Sequence, residues 1–324
     1  MNDDVRRPDR ESGDLGHPVV RGGRHPVSSV VVLGDGPAGT VAAAAAALNG
    51  DRATLLGLGR IPDPGTLETL DLRAASALAG LGWYDPVVER AVPCGPEGWV
   101  VDRAWLDPLL RDLAAAAGVR IRTLADRVRT RQDDEATEAV VGVLAAGRHT
   151  PGPRRDLGPD RTVLTVSLPP AALPGLRGRR VEVAAGPCWS AIGDGVTCSV
   201  SLTLTGALAS RGPDALRAVW RRALGSAPSW LPDEAADQVP RVDQVRAQIR
   251  LSDGGPRAAG DAALCVDPLS GRGLTLALEG GVRCLDDGYD RWLVEQSAEY
   301  VAAARAAYDA VGLDPAALTV RARA

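Results

Sequence analysis

The feature that most limits the fold lies at 29–56. Ser29-Val30-Val31-Val32-Leu33 is a short, β-branched apolar run, the pattern of a strand buried on both faces. Gly34-Asp35-Gly36-Pro37-Ala38-Gly39 follows, and then 40–48 with six consecutive alanines, a strong helix former. Pro37 suits the first helical turn, and Gly50 suits the stop after the last one. Residues 52–56 read as a second strand. A strand, a glycine turn, a helix and a strand in that order predict a Rossmann-like α/β unit.

The G-x-G-x-x-G spacing carries its own steric logic. Gly34 allows the tight turn, Gly36 lets backbone approach a pyrophosphate, and Gly39 lets the helix pack closely on the sheet. The N–H groups at the start of the helix, with their partial positive charge, would face the phosphates. The motif is weak alone, but its place between a strand and a helix makes it a dinucleotide site. One part is missing. An acid should end the second strand to hold the ribose 2′-hydroxyl, yet Leu56 is followed by Gly57-Leu58-Gly59-Arg60.

Composition narrows the chemistry. Among 324 residues there is no lysine and no phenylalanine, and there are only three histidines. His17 and His25 lie in a polar segment, leaving His149 as the lone imidazole elsewhere. A Schiff-base lysine, a P-loop lysine and a His-rich metal site are all excluded. The five cysteines, Cys94, Cys188, Cys198, Cys265 and Cys284, form no C-x-x-C pair and read as buried, reduced thiols. With so few reactive side chains, the chemistry is expected of a bound cofactor. A net charge of −4 argues against nucleic acid. No run approaches the roughly 18 apolar residues of a membrane span. The first 28 residues are polar and expected to be a disordered arm without an apolar signal core, which points to a cytoplasmic protein.

Further along, Trp99-Val100-Val101-Asp102-Arg103 opens a helix at 104–117 with leucines on one face, and 119–122 alternates like an edge strand. Residues 139–144 form another apolar run. Texture changes between about 151 and 250, where alternating runs at 163–168, 181–184 and 197–204 and a helix near 214–224 predict a mostly antiparallel sheet. The last organised block runs from Gly260-Asp261 through Asp267-Pro268-Leu269-Ser270-Gly271-Arg272-Gly273 into an apolar helix at 274–285. It reads as a loop carrying one carboxylate toward a hydroxylated chain. A Pro/Gly turn then aims a helix start at an electron-rich ring.

Together the glycine motif, Arg103 at a helix start and the late G-D-x(5)-D-P segment resemble the FAD-dependent monooxygenases of the p-hydroxybenzoate-hydroxylase type. The resemblance covers about 29–150 and 255–290. It implies FAD, with Gly34, Gly36, Pro37, Ala38 and Gly39 at the pyrophosphate and Arg103 beside the cofactor. Asp261 would meet the ribityl chain, with Pro268, Gly271, Gly273 and Leu274 along the isoalloxazine. It also implies an FAD-binding domain at 29–150 and 255–324 with C-terminal helices, and an inserted substrate-side antiparallel sheet at 151–254. Gly98-Trp99-Val100-Val101-Asp102-Arg103, Glu68-Thr69-Leu70 and a tail with spaced tyrosines from Tyr289 to Tyr308 are similar to the halogenase-like branch. That branch includes hydroxylases of peptide tryptophan that mature quinone-cofactor enzymes.

Halogenation itself is excluded, since flavin halogenases use a lysine and a Trp-x-Trp-x-Ile-Pro motif, and neither is present. The resemblance implies hydroxylation of an aromatic ring, on a small molecule or on a peptide tryptophan, through a flavin hydroperoxide. Electrons would come from NAD(P)H or from a separate flavin reductase. Trp99, Trp189 and Cys265 are the candidates for the substrate wall, the alternatives being core packing for the two tryptophans and a simple apolar spacer for Cys265. His149 is expected to cap a strand end. Two other readings stay open: an FAD reductase or dehydrogenase of the geranylgeranyl-reductase-like branch, and a non-catalytic accessory flavoprotein.

Overall fold

A computed structural model describes residues 28–123, 141–183, 188–205, 212–225 and 227–309. The expected arm at 1–28 lies almost wholly outside the described residues, as does the start of the apolar run at 139–144.

The glycine-turn unit forms as its sequence dictates. Strand β1 (Ser29–Leu33) leads through the turn to helix α1 (Pro37–Leu48), and β2 (Arg52–Gly57) returns parallel to β1. Pro37 occupies the first turn of α1, and Gly50, at φ +93°, takes the left-handed conformation after its end. With β6 (Arg120–Thr123), β7 (Val141–Leu144) and β13 (Arg257–Ala258) these strands build a parallel sheet in the order β13-β7-β1-β2-β6. The chain order reverses at β1, so the glycine turn opens at the switch point, where α/β sheets bind ligands.

Helix α1 is buried on nearly every side, which its alanines permit. Helix α4 (Arg103–Ala116) and helix α6 (Gly273–Arg283) pack against it. Close packing has a steric requirement: a Cβ on Gly281 would stand 2.6 Å from the carbonyl oxygen of Ala38, and one on Gly260 would stand 2.6 Å from the Ala38 Cβ. Between these elements lie β3 (Leu67–Leu70), α2 (Leu72–Gly80), α3 (Tyr84–Val88), β4 (Val92–Pro93) and β5 (Trp99–Asp102), with β3, β5 and β4 in a small antiparallel sheet. Helix α7 (Tyr289–Asp309) follows α6.

The alternating region forms a six-stranded antiparallel sheet. Its strands are β8 (Arg155–Leu168), β9 (Arg177–Val183), β10 (Cys188–Asp194), β11 (Cys198–Thr205), β12 (Arg241–Ile249) and β14 (Leu264–Cys265), in the order β14-β12-β8-β11-β10-β9. Helix α5 (Pro213–Leu224) covers one face, where Leu164, Val166, Trp189, Val200 and Leu202 pack around Trp220. Hydrogen bonding crosses position 254, because β12 pairs with β14 inside the late motif, and Leu157, Ala247 and Ile249 belong to the core around α1. The two blocks expected from sequence are therefore fused along this edge.

Gly39→Ala tests the packing of the glycine turn, because its Cβ would overlap the carbonyl oxygen of Gly34. The substitution is expected to cost about 1–3 kcal/mol, visible as a lowered thermal midpoint.

Candidate functional site

The turn after β1 is tightly packed on one side and open on the other. Gly34 sits at φ +114°, and a Cβ there would overlap the carbonyl of Ala145. Gly36 has open space on its Cβ side, with Arg103 Nη2 3.9 Å away. Helix α1 begins at this point without a side-chain cap, so its first N–H groups and the positive end of its dipole face the open side. Gly34, Gly36, Pro37, Ala38 and Gly39 thus combine tight sterics with an uncapped helix start, and this fits a pyrophosphate.

Asp102 fixes the beginning of α4 by accepting hydrogen bonds from the backbone N–H of Ala104 at 2.9 Å and of Gly65 at 2.8 Å. Arg103 is then held on both sides: Nη1 donates to Glu68 at 2.6 Å, while Nε and Nη2 donate to Asp107 at 2.6 and 2.9 Å. The two carboxylates hold its guanidinium above its usual pKa, against the opposing effect of burial. Arg103 therefore stands beside Gly36 as a fixed, already compensated cation.

A cavity of about 440 Å³ opens between the late motif and the six-stranded sheet. Asp261, Cys265, Pro268, Gly271 and Gly273 line it from one side, with Glu68 and the 63–69 segment alongside. Burial pushes the Asp261 carboxyl up, with Arg148, Arg103 and Arg154 pulling it back. Burial also drives the Cys265 thiol up to about 12 and that of Cys188 up to about 11. Asp267 holds the turn: it is buried, accepts from the Leu269 N–H at 2.9 Å and from the Tyr300 hydroxyl at 2.6 Å, and lies 3.7 Å from Arg161. Arg179 reaches over from β9 and donates to the carbonyls of Pro268 and Leu269, at 3.0 and 2.7 Å. Gly271, at φ +65°, leaves room for this guanidinium.

The opposite wall is the polar face of the sheet. Ser190, Ser201, Thr165 and Arg241 stand side by side across β10, β11, β8 and β12, with Ser167 and Ser199 adjacent. Thr165 and Ser201 share a hydrogen bond of 2.9 Å. Asp243 accepts from Arg148 at 2.7 Å and lies 3.4 Å from Arg241. None of these wall residues was singled out from sequence. The signal that could have found them is the period-two alternation of hydroxyl and apolar residues at 163–168 and 198–205.

The sequence candidates thus fall into three placements. Asp261, Cys265, Pro268, Gly271 and Gly273 share the cavity, while the glycine turn and Arg103 lie behind its lining, Arg103 bonded to Glu68 and Ala38 packed on Gly260. Leu274 is buried in the core. Trp99 and Trp189 lie outside the cavity lining: Trp99 packs edge-on against Tyr84, and Trp189 is fully buried edge-on against Trp220. Trp99 begins β5 and Trp189 lies in β10, and each packs against the apolar side chains of its own core cluster. His149 lies in an exposed turn after β7.

No protein-family model matches the chain, and no curated protein matches its sequence. Solved structures do match. QhpG, a peptidyl tryptophan dihydroxylase essential for tryptophylquinone cofactor biogenesis, superposes with a TM-score of 0.65 over 87% of this chain and 75% of its own, at 20% identity. The flavin-dependent halogenase CmlS gives 0.58 over 85% of this chain and 62% of its own, at 20% identity. HpxO of Klebsiella pneumoniae, complexed with FAD and uric acid, gives 0.58 over 83% of each chain at 18% identity. At such identities the likeness is one of fold, and the fold is that of FAD-dependent monooxygenases and halogenases. The resemblance read from sequence points to the same group, including its halogenase-like branch. Among the described residues, no helix is long and apolar enough to cross a membrane.

Two predictions follow from burial and hydrogen bonding at the site. Cys188, Cys198, Cys265 and Cys284 are buried and Cys94 is partly exposed, so a disulfide reagent at pH 8 should titrate Cys94 rapidly in the native protein and the other four only after unfolding. Tyr300→Phe removes a hydrogen bond to a buried carboxylate and is expected to cost about 1.5–3 kcal/mol, measured by denaturant titration.

Proposed function

We propose that the chain is an FAD-dependent monooxygenase that hydroxylates an electron-rich aromatic ring held in the cavity between the late motif and the six-stranded sheet. The observation that carries this reading is the meeting of three separated segments: Arg103 stands 3.9 Å from the Cβ side of Gly36 and donates to Glu68 of the cavity lining, Ala38 packs on Gly260, and Asp261 to Gly273 line the cavity. In this reading 29–150 and 255–324 hold the cofactor and 151–254 supplies the substrate wall. FAD held there would, when reduced, supply the activation of O2 that puts one oxygen atom on the substrate and releases the other as water. The two electrons come from NAD(P)H or from a separate flavin reductase.

The protein's own part is binding, orientation and exclusion of water. The glycine turn and the start of α1 receive the pyrophosphate, while Asp261 accepts hydrogen bonds from the ribityl hydroxyls. The Pro268–Gly273 backbone, fastened by Asp267 and Arg179, would hold the ring. The start of α6 there would stabilise negative charge on that ring. Lining residues from the sheet are mainly hydroxyl-bearing and charged, so the substrate is oriented by hydrogen bonds to its polar substituents, with Arg148, Arg241 and Asp243 at one end. With the late-motif side of the cavity given to the ring, the space left beside the sheet suits a substituted aromatic small molecule, and a peptide tryptophan side chain is the second substrate to assay.

The test is an absorbance spectrum of the purified, desalted protein, with the cofactor released and identified. FAD is the expected result, followed by NAD(P)H-driven oxygen uptake that rises with substrate. A colourless protein that fails to take up added FAD overturns the reading. So does FAD reduction by NAD(P)H that never couples to oxygen transfer with any aromatic substrate.

A further inference from the structure

The end of β2 lacks the acid that a dinucleotide site of this kind places against the ribose. At that position Gly57 has no side chain, and the space is nevertheless filled by a carboxylate. A Cβ built on Gly57 would stand 2.7 Å from Oδ2 of Asp35 and 3.1 Å from its carboxyl carbon. Asp35 belongs to the glycine turn itself, between Gly34 and Gly36, so its side chain crosses from the tip of β1 to the tip of β2.

This carboxylate is built in. Asp35 is 9% exposed. Its Oδ1 accepts from the backbone N–H of Leu58 at 3.0 Å, and its Oδ2 accepts from Nη1 of Arg111 at 3.0 Å. Arg111 is anchored in turn, its Nε donating to the carbonyl of Asp107 at 3.3 Å, one helical turn away on α4. A carboxylate offers about four lone-pair sites, and these two contacts use one on each oxygen. An acid at 57 and the acid at 35 could not share this space, so Gly57 is the counterpart of Asp35.

We infer that Asp35 is the ligand of the adenosine ribose hydroxyls, presented by the glycine turn instead of by the end of β2, and that Arg111 is its positioning residue. The inference rests on the FAD reading above. It also makes the site selective for an unmodified ribose, because a phosphate on the 2′-hydroxyl would meet the Asp35 carboxylate.

The test titrates apoprotein with FAD and with an FAD analogue deoxygenated at the adenosine 2′ position, reading dissociation constants from flavin fluorescence. Wild-type protein is expected to bind FAD about 10- to 100-fold more tightly than the analogue. Asp35→Ala is expected to weaken FAD binding to the level of the analogue and to lose discrimination between them. Asp35→Ala combined with Gly57→Glu should regain it, whereas Gly57→Glu alone should weaken FAD binding. Equal affinity of wild-type protein for both flavins overturns the inference while leaving FAD binding intact. Undiminished discrimination in Asp35→Ala does the same. Failure of wild-type protein to bind either flavin removes the FAD reading and this assignment with it.

Discussion

Everything at the site depends on how closely backbone can approach the start of α1. Gly39 lies against the carbonyl of Gly34, and Gly260 and Gly281 lie against Ala38, so three distant segments meet where side chains would have kept them apart. The six alanines continue the same economy along α1, allowing α4 and α6 to pack on it closely. Dispersion and burial gained over that contact hold the late motif against the glycine turn. The cavity edge is a consequence of that contact: Asp261 follows Gly260 directly, and Gly273 begins the helix that carries Gly281.

The sheet opposite is built on a different rule. Strand residues alternate between faces, and in β8, β10 and β11 one set is apolar and packs under α5 while the other carries hydroxyls toward the cavity. Both aromatic wall candidates are spent elsewhere, Trp189 with Trp220 in the core of the sheet and Trp99 with Tyr84. The sheet side of the cavity is therefore mainly polar, with Val163, Val245 and Ile192 as its apolar members.

Much of the first block was legible because its signals are local. The β-branched run, the glycine spacing and the alanine helix placed β1, α1 and β2 within a few residues of their observed bounds. The late motif was legible for the same reason. What sequence could not place was pairing at long range. β10 and β12 were not anticipated, and neither Arg179 nor Asp243 carries a local sign that β9 and β12 will bring it to the cavity. Gly57 shows the same gap in miniature. Read along the chain it is a missing acid, and only the side-by-side pairing of β1 and β2 shows Asp35 standing over it.

Arg179 gives the arrangement a mechanical side. It is rooted in the strand at the edge of the six-stranded sheet, yet its guanidinium grips two successive carbonyls of the Pro268–Leu269 turn. The edge strand and the turn are thereby tied directly, alongside the Asp267–Arg161 pair that ties the turn to β8. A displacement of β9 would therefore be felt at the Pro268–Leu269 backbone across the cavity.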